Sequence, residues 1–179
     1  ATRDKIKANA EIRDLVQALG CGMGKEFKAE NMRYERVVIM TDADVDGAHI
    51  ATLILTFFYQ EMPELLLNGS VYLAMPPLFK LTHGATSVYA LDDEDKDYHM
   101  KTTFKGKKNV VLTRFKGLGE MPAAQLKETT MNQEKRKMMQ INIESLADSK
   151  SIVSRLMGKN PEDRFNFIQE HGASAQVDI

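Results

Sequence analysis

The sequence predicts an α/β fold, with a Rossmann-like, mainly parallel sheet flanked by helices and a small helical tail at the carboxyl end. Three observations support this class. Residues 36–42, RVVIMTD, form a short apolar run with β-branched residues, which indicates a strand buried on both faces. Residues 49–67 then predict a long apolar helix that breaks near Pro63. Similar apolar runs alternate with helical patterns along the rest of the chain, as in βαβ units.

The other elements follow from local patterns in chain order. Apolar residues at helical spacing predict a helix over residues 3–19, which the glycines after it end. Residues 70–83 predict a second buried strand, a Pro76-Pro77 interruption and an edge strand that pairs with residues 87–93 across Gly84. The remaining segments predict an exposed helix and loop (92–108), strands (109–115, 137–143), a helix (122–131) and two closing helices that end at Gly158 and Gly172.

Length and composition limit the class of protein. With 179 residues and 43% hydrophobic residues, we expect one main domain over residues 1–130 and a tail region over residues 131–179. The net charge of −1 shows no overall basic field, so a nucleic-acid partner would have to contact a local patch. One cysteine, Cys21, excludes an internal disulfide, and the sequence shows no membrane-spanning run or signal-peptide core. We expect a soluble cytoplasmic chain with no membrane partner.

Three aspartates crowd the segment TDADVDG directly after the first predicted strand. Asp42, Asp44 and Asp46 occupy alternate positions, and their mutual repulsion suggests that a cation lies among them. A calcium EF-hand loop would share the D-x-D-x-D-G pattern up to Gly47. That loop requires a glutamate at its twelfth position, where this chain has Leu53, and it follows a helix rather than a strand. Helix capping alone would explain one aspartate but not three.

The position of these aspartates favours a magnesium site. Side chains at i and i+2 of an extended segment point the same way, so Asp42 and Asp44 would face one cation at the ligand-binding edge of the sheet. Hard carboxylate oxygens suit Mg²⁺, or alternatively Mn²⁺, better than zinc. Magnesium usually takes further ligands from phosphate oxygens, which indicates a phosphate-bearing substrate. Asp46 is predicted to support the pair and start the helix, with Gly47 as the turn.

A second set of residues is predicted to contact a phosphate backbone. These are His49, early in the predicted helix, and the basic residues Lys107, Lys108, Arg114 and Lys116. Arg114 and Lys116 flank the end of a predicted strand and abut the segment GLGE. Its glycines, Gly117 and Gly119, are predicted turn residues that allow close backbone approach.

Several segments, in this order, resemble one family over nearly the whole chain: MTDADVDGAHI, FFYQEMPELL, VYLAMPPLFKL, RFKGLGEMPAAQLKETTM and LMG. They resemble the B subunits of bacterial type IIA DNA topoisomerases, the group of DNA gyrase and topoisomerase IV. The resemblance implies a TOPRIM domain over residues 1–130, followed by the tail. Ala51 stands where gyrase B subunits usually have arginine, which favours the topoisomerase IV branch over the gyrase branch.

The resemblance also implies a mechanism. In this family, Asp42 and Asp44 would hold Mg²⁺ together with a glutamate of an E-G-x-S/A motif, with Asp46 in support. That motif has no counterpart in the sequence, and we expect it to precede residue 1. The nucleophilic tyrosine lies on the partner A subunit, so no tyrosine of this chain is a candidate. ATP would bind only to a separate N-terminal domain.

The same resemblance sets expectations for assembly. The full enzyme would be an A2B2 heterotetramer that cleaves and religates double-stranded DNA during strand passage, relaxing or decatenating it. This region alone would contain no complete catalytic site, would be inactive, and would bind Mg²⁺ weakly unless DNA is present.

Two rival functions remain open from the residues. A haloacid-dehalogenase-like phosphatase shares the pattern of an apolar strand followed by D-x-D, with Asp42 as nucleophile. That family prefers Thr or Val at the position of Asp46. The other rival is a non-catalytic, metal-stabilised module that docks a nucleic acid or another subunit.

Overall fold

The computed structural model describes residues 3–174, and these divide into two compact units. A helical unit comprises residues 3–35, 55–70 and 142–174, and a sheet unit comprises residues 36–54 and 71–141. The predicted α/β class is confirmed, with parallel strands in one sheet, but among the described strands one pair is parallel and three are antiparallel, so the sheet is not mainly parallel as predicted. The eight helices and six strands of the described residues are given below by unit.

The helical unit contains helices α1 (Arg3–Ala8), α2 (Ala10–Leu19), α4 (Pro63–Leu67), α7 (Leu146–Met157) and α8 (Pro161–His171). The single helix predicted over residues 3–19 is wrong, because Asn9 ends α1 and caps α2. Its side-chain oxygen accepts the backbone N–H of Ile12 at 2.8 Å. Gly20 adopts a left-handed conformation, with φ of 75°, and ends α2 as predicted.

The sheet unit contains two three-stranded sheets. In the first, the strand order is β1 (Val37–Ile39), β2 (Val71–Ala74) and β6 (Met138–Ile141). Strands β1 and β2 pair in parallel, with Val37 opposite Val71, whereas β6 pairs with β2 in the antiparallel sense. The predicted burial of the first strand on both faces is wrong, since Val38 is 40% exposed. Among the described residues, strand β1 lies at the edge of this sheet and has β2 as its one neighbouring strand.

The second sheet is antiparallel. Its order is β4 (Thr86–Ala90), β3 (Phe79–His83) and β5 (Val111–Arg114), and the β3–β4 hairpin turns at Gly84 as predicted. Phe79, Leu81, Ala90 and Phe104 form its buried core. The predicted exposed helix is α5 (Asp93–Lys101).

Helix α3 (Val45–Glu61) begins in the sheet unit, and its last residues belong to the helical unit. It starts next to Asp46, the predicted helix start, and four residues before the apolar run 49–67. The predicted break is confirmed, since α4 begins at Pro63. Helix α6 (Ala123–Leu126) continues into a π-helical turn, Lys127–Met131. Among residues 3–174, no helix combines the length and apolar character needed to span a bilayer.

Candidate metal site

Asp42 lies three residues after strand β1, and its carboxylate is fixed by a distant loop. Its Oδ1 accepts the backbone N–H of Leu118 at 2.7 Å, a contact between residues 76 positions apart. Leu118 begins a short 3₁₀ turn, Leu118–Glu120, that follows strand β5. The segment KGLGE is therefore in direct contact with the acidic turn, and a charged hydrogen bond holds one oxygen of Asp42 in a defined place.

Asp44 is the N-cap of helix α3. Its Oδ1 accepts the backbone N–H of Gly47 at 2.7 Å, and its own carbonyl accepts the N–H of Ala48 at 3.0 Å. This cap explains why the helix begins at Val45, before the apolar run 49–67. Negative charge at the amino end of a helix is also favoured by the helix dipole. The capping role that the sequence allowed for one aspartate belongs to Asp44.

Two glycines pack closely against Asp42, Gly47 against its backbone and Gly117 against its carboxylate. A Cβ atom on Gly47 would lie 2.0 Å from the carbonyl oxygen of Asp42. A Cβ atom on Gly117 would lie 2.9 Å from the Asp42 carboxyl carbon and 3.0 Å from Oδ1. Gly47 lies within the first turn of α3, where close approach rather than an unusual φ requires glycine. By contrast, a Cβ atom on Gly119 would meet nothing within 4 Å.

The neighbouring gap is almost closed. A void of only about 10 Å³ lies beside this contact, lined by residues that include Ala43, Pro76 and Leu118. That volume is at the lower limit for one water molecule. The acidic turn and the glycine loop thus pack tightly, which leaves the exposed sides of the carboxylates as the accessible face.

The residues present fit a divalent cation with oxygen ligands. Among residues 3–174, Oδ2 of Asp42 and Oδ2 of Asp44 accept no hydrogen bond, while Oδ1 of each is held by a backbone N–H. Both side chains are exposed to solvent. The described residues bring together no group of three His, Cys, Asp or Glu side chains suited to a metal. The candidate site is accordingly a pair of carboxylates whose further ligands would be water or substrate oxygens.

Asp46 and His49 lie on the exposed first part of α3. Asp46 is the second residue of the helix and belongs to its first turn, as predicted. His49 is the fifth residue of α3 and so lies early in the helix, as predicted. Both side chains are exposed, and they follow Asp44 closely along the same segment.

The basic residues that were predicted to contact a phosphate backbone lie at the two ends of strand β5. Lys107 and Lys108 precede the strand, whereas Arg114 ends it and Lys116 lies in the loop that holds Asp42. A four-residue strand spans roughly 13 Å, so the two groups lie at opposite ends of it. The Arg114 guanidinium carbon lies 5.9 Å from the centre of the Phe79 ring, a cation–π distance. The backbone N–H of Lys116 donates to Oε2 of Glu120 at 2.9 Å.

A polar cluster in the sheet unit was not predicted from the sequence. The Tyr89 hydroxyl donates to Oε2 of Glu128 at 3.3 Å, and Lys135 Nζ donates to Oε1 of the same carboxylate at 2.6 Å. The hydrogen bond and charge of Lys135 hold the pKa of Glu128 below its usual value. Burial, followed by the charge of Glu128, raises the pKa of Tyr89. The three residues come from separate segments with no shared motif, so no local pattern could have indicated the cluster.

Comparison with known proteins identifies the relatives of this chain. The Toprim domain family matches residues 2–76, and the family described as DNA gyrase B subunit, carboxyl terminus, matches residues 107–169. The B subunit of DNA topoisomerase 4 from Bartonella bacilliformis is 51% identical over 177 residues, covering 98% of this chain and 26% of the relative. The B subunit of DNA topoisomerase 4 from Caulobacter vibrioides is 51% identical over 180 residues, covering 100% of this chain and 26% of the relative.

A gyrase subunit is a more distant relative. The B subunit of DNA gyrase from Treponema denticola is 43% identical over 176 residues, covering 98% of this chain and 27% of the relative. The chain therefore spans about a quarter of the length of the curated relatives that it matches.

Proposed function

Because the chain belongs to the family of type IIA DNA topoisomerase B subunits, we propose that it carries the Mg²⁺-binding TOPRIM region of such an enzyme. In that enzyme the region would help the tyrosine of a partner A subunit to cleave and religate double-stranded DNA. The proposed domains are those predicted from the sequence, residues 1–130 for TOPRIM and residues 131–179 for the tail.

The observation that supports this proposal best is the arrangement of Asp42 and Asp44. Each carboxylate has Oδ1 fixed by a backbone N–H and Oδ2 without a hydrogen bond among the described residues. The oxygens that would bind a cation therefore belong to side chains whose orientation is already set. Such preorganisation reduces the cost of ordering ligands when the metal and a phosphate arrive.

In this proposal Asp42 and Asp44 hold Mg²⁺, with Mn²⁺ as the alternative ion, and Asp46 adds negative charge from the first turn of α3. When bound, the ion would stabilise negative charge on the attacked phosphate and on the leaving oxygen. The Leu118 N–H holds the Asp42 carboxylate in position, and Gly117, which has no side chain, leaves room for that carboxylate. The family's metal-binding glutamate motif has no counterpart among residues 1–179.

DNA contacts are proposed mainly for the loop that holds Asp42. Lys116 lies two residues before Leu118, so its ammonium group is carried by the segment that touches the metal ligand. Arg114 ends β5 just before this loop, and His49 is presented by α3 after the acidic turn. Lys107 and Lys108 would contact the phosphate backbone farther along the duplex. Such contacts position DNA without reading its sequence.

Among the two branches of the family, we propose topoisomerase IV, whose B subunits include relatives at 51% identity, against 43% for the gyrase relative. Ala51 is 5% exposed on α3, so the arginine common in gyrases would require local rearrangement here. The whole enzyme would be a cytoplasmic A2B2 assembly that relaxes or decatenates DNA, with ATP bound in its N-terminal domain.

The test uses a full-length B subunit containing this region, reconstituted with its A partner and supercoiled DNA. Asp42→Ala and Asp44→Ala are each expected to lower Mg²⁺-dependent cleavage at least about 100-fold, consistent with loss of a residue that stabilises transition-state charge. Glu64→Gln, an exposed change on α4, is the control and should retain full cleavage. Unimpaired cleavage by both aspartate variants would overturn the proposal.

A phosphatase assay distinguishes the proposed function from its strongest rival, a haloacid-dehalogenase-like phosphatase. The isolated chain is expected to leave a generic aryl phosphate intact in the presence of Mg²⁺. Hydrolysis that disappears in Asp42→Asn would instead assign Asp42 as a phosphatase nucleophile.

A further inference from the structure

A cavity of about 570 Å³ lies in the sheet unit, and the residues assigned to metal or DNA are not part of its lining. Its lining includes residues of the β3–β4 hairpin, of the π-helical turn Lys127–Met131 and of the segment that leads into β6. Pockets that bind small molecules commonly have volumes of about 300 to 1,000 Å³. π-helical turns also occur frequently at functional sites, and this one contributes Glu128 and Thr129 to the wall.

The two acidic residues that line the cavity, Glu128 and Asp95, already have partners. Glu128 uses Oε1 for Lys135 and Oε2 for Tyr89, so its carboxylate and the Lys135 ammonium are already paired. The other acidic residue in the wall, Asp95, accepts the backbone N–H of Leu91 at 3.0 Å through Oδ2. Its Oδ1 lies 3.4 Å from Nε2 of His99.

Two further lysines line the same cavity. Among residues 3–174, the ammonium groups of Lys80 and Lys137 form no ion pair within 4.0 Å. Lys80 Nζ lies 5.7 Å from the centre of the Tyr89 ring, which keeps that ammonium at the wall. The charge of Lys80 does act on Glu128 and helps to lower the pKa of that carboxyl group, but the lining still has three lysines against two carboxylates. Unpaired cations in a concave site favour an anionic ligand, because the walls exclude part of the competing water.

Other residues of the lining are apolar. Met75, Pro77, Val88 and Leu91 contribute apolar surface to the cavity. A bare inorganic ion would leave this surface in water, whereas a ligand with an apolar body would cover it. The combination therefore favours a molecule with one charged end and one apolar part.

We propose that this cavity binds a small organic anion, whose phosphate or carboxylate group contacts Lys80 and Lys137 and whose apolar body packs on Met75, Pro77 and Leu91. The site shares none of the residues that bind the cation or DNA in the proposed function, although Pro77 also lines the small void beside the contact between Asp42 and Leu118. A bound ligand would connect the β3–β4 hairpin, the π-helical turn and the start of β6.

The experiment measures binding to the 179-residue chain by amide chemical shifts. Four probes are compared: 1-naphthyl phosphate, 1-naphthoate, the uncharged 1-naphthalenemethanol and inorganic phosphate. We expect the two aromatic anions to bind and to shift the amides of Tyr89 and Thr129, with the uncharged probe and inorganic phosphate each roughly tenfold weaker or worse. Binding of naphthyl phosphate alone, or of naphthoate alone, would support the proposal and identify the preferred group.

Charge variants test the assigned lysines. Lys80→Gln with Lys137→Gln is expected to weaken the aromatic anions about tenfold while leaving the uncharged probe unchanged, because two ammonium contacts are lost. Lys150→Gln with Lys159→Gln removes the same charge from exposed positions of the helical unit and should change nothing.

Three results would overturn the proposal: equal binding of charged and uncharged probes, shifts that avoid Tyr89 and Thr129, or anion binding that is unaffected in the Lys80/Lys137 variant. The comparison of probes on the unaltered chain decides the question even if that variant does not fold.

Discussion

The acidic site and the lysine-lined cavity are held together by different kinds of contact. Asp42 accepts a hydrogen bond from a backbone N–H and packs closely against two glycines, one of which, Gly47, leaves no room for a Cβ atom. In the cavity, the tips of Tyr89, Glu128 and Lys135 join through side-chain bonds. Long side chains can change rotamer to absorb a substitution, whereas packed backbone cannot. The acidic site should therefore tolerate less change than the cavity.

The largest expected effect is that of Gly47→Ala, which tests the backbone contact. The new Cβ would lie 2.0 Å from the Asp42 carbonyl oxygen, so either α3 or the strand end must move. We expect a loss of about 3 kcal/mol in the free energy of unfolding, measured by urea denaturation. Gly119→Ala is the matched control, since its Cβ meets nothing within 4 Å, and it should stay within roughly 0.5 kcal/mol of the parent. Equal effects of the two changes on the free energy of unfolding would show that the close approach of Gly47 to Asp42 relaxes without cost.

Substitutions of Asp44 separate helix capping from metal binding. Asp44→Ala removes the acceptor for the Gly47 N–H and should lower the free energy of unfolding by about 1 kcal/mol. Asp44→Asn keeps a capping oxygen, so its stability should stay near that of the parent. Both changes should impair Mg²⁺-dependent cleavage in the reconstituted enzyme, because an amide is a poor substitute for a carboxylate ligand. Full cleavage by Asp44→Asn would leave Asp44 with a capping role alone.

The sequence could predict most of the fold, because its elements depend on local patterns. The β3–β4 hairpin, the break at Pro63 and the helix end at Gly20 all rest on turn and breaker residues. The π-helical turn could not be foreseen: the hydroxyls of Thr129 and Thr130 donate to main-chain carbonyls four residues earlier, an arrangement many sequences allow. The antiparallel pairing of β6 likewise depends on tertiary placement rather than on its own residues.

The candidate site could be predicted only in part from the sequence, because some of its contacts join residues that are distant in the chain. Period-two spacing after an apolar strand indicates the pair Asp42 and Asp44. The glycines of KGLGE suggested close backbone approach, but nothing local could reveal that Asp42 is what approaches Gly117. The cavity depends on lysines from separate segments, and isolated lysines are normally solvated.

The smallest expected effect is a pH dependence of stability, which arises from the contact between Glu128 and Lys135 in the cavity. The pKa of Glu128 is lowered in the folded chain, first by its hydrogen bond to Lys135. Its contribution therefore favours the folded state above the ordinary pKa of 4.5 and is lost as the pH falls through the lowered value. Lys135→Gln should return the pKa of Glu128 towards 4.5, measured by carboxyl ¹³C NMR titration.

Lys150→Gln is the control for that titration and should leave the pKa of Glu128 unchanged. An unaltered pKa in Lys135→Gln would mean that other groups, rather than this contact, stabilise the carboxylate.

The hydrogen bond between Asp42 and Leu118 also has a consequence for the order of folding. Its partners are 76 residues apart, so it closes a long loop whose entropy must be lost before the contact forms. The start of α3 can form early from neighbouring residues, because the Asp44 cap joins residues three and four positions apart, and both aspartates are already close in the chain. We therefore expect the Asp42 carboxylate to gain its final orientation only when β5 and its following loop dock, which would make cation binding by the pair a late event in folding.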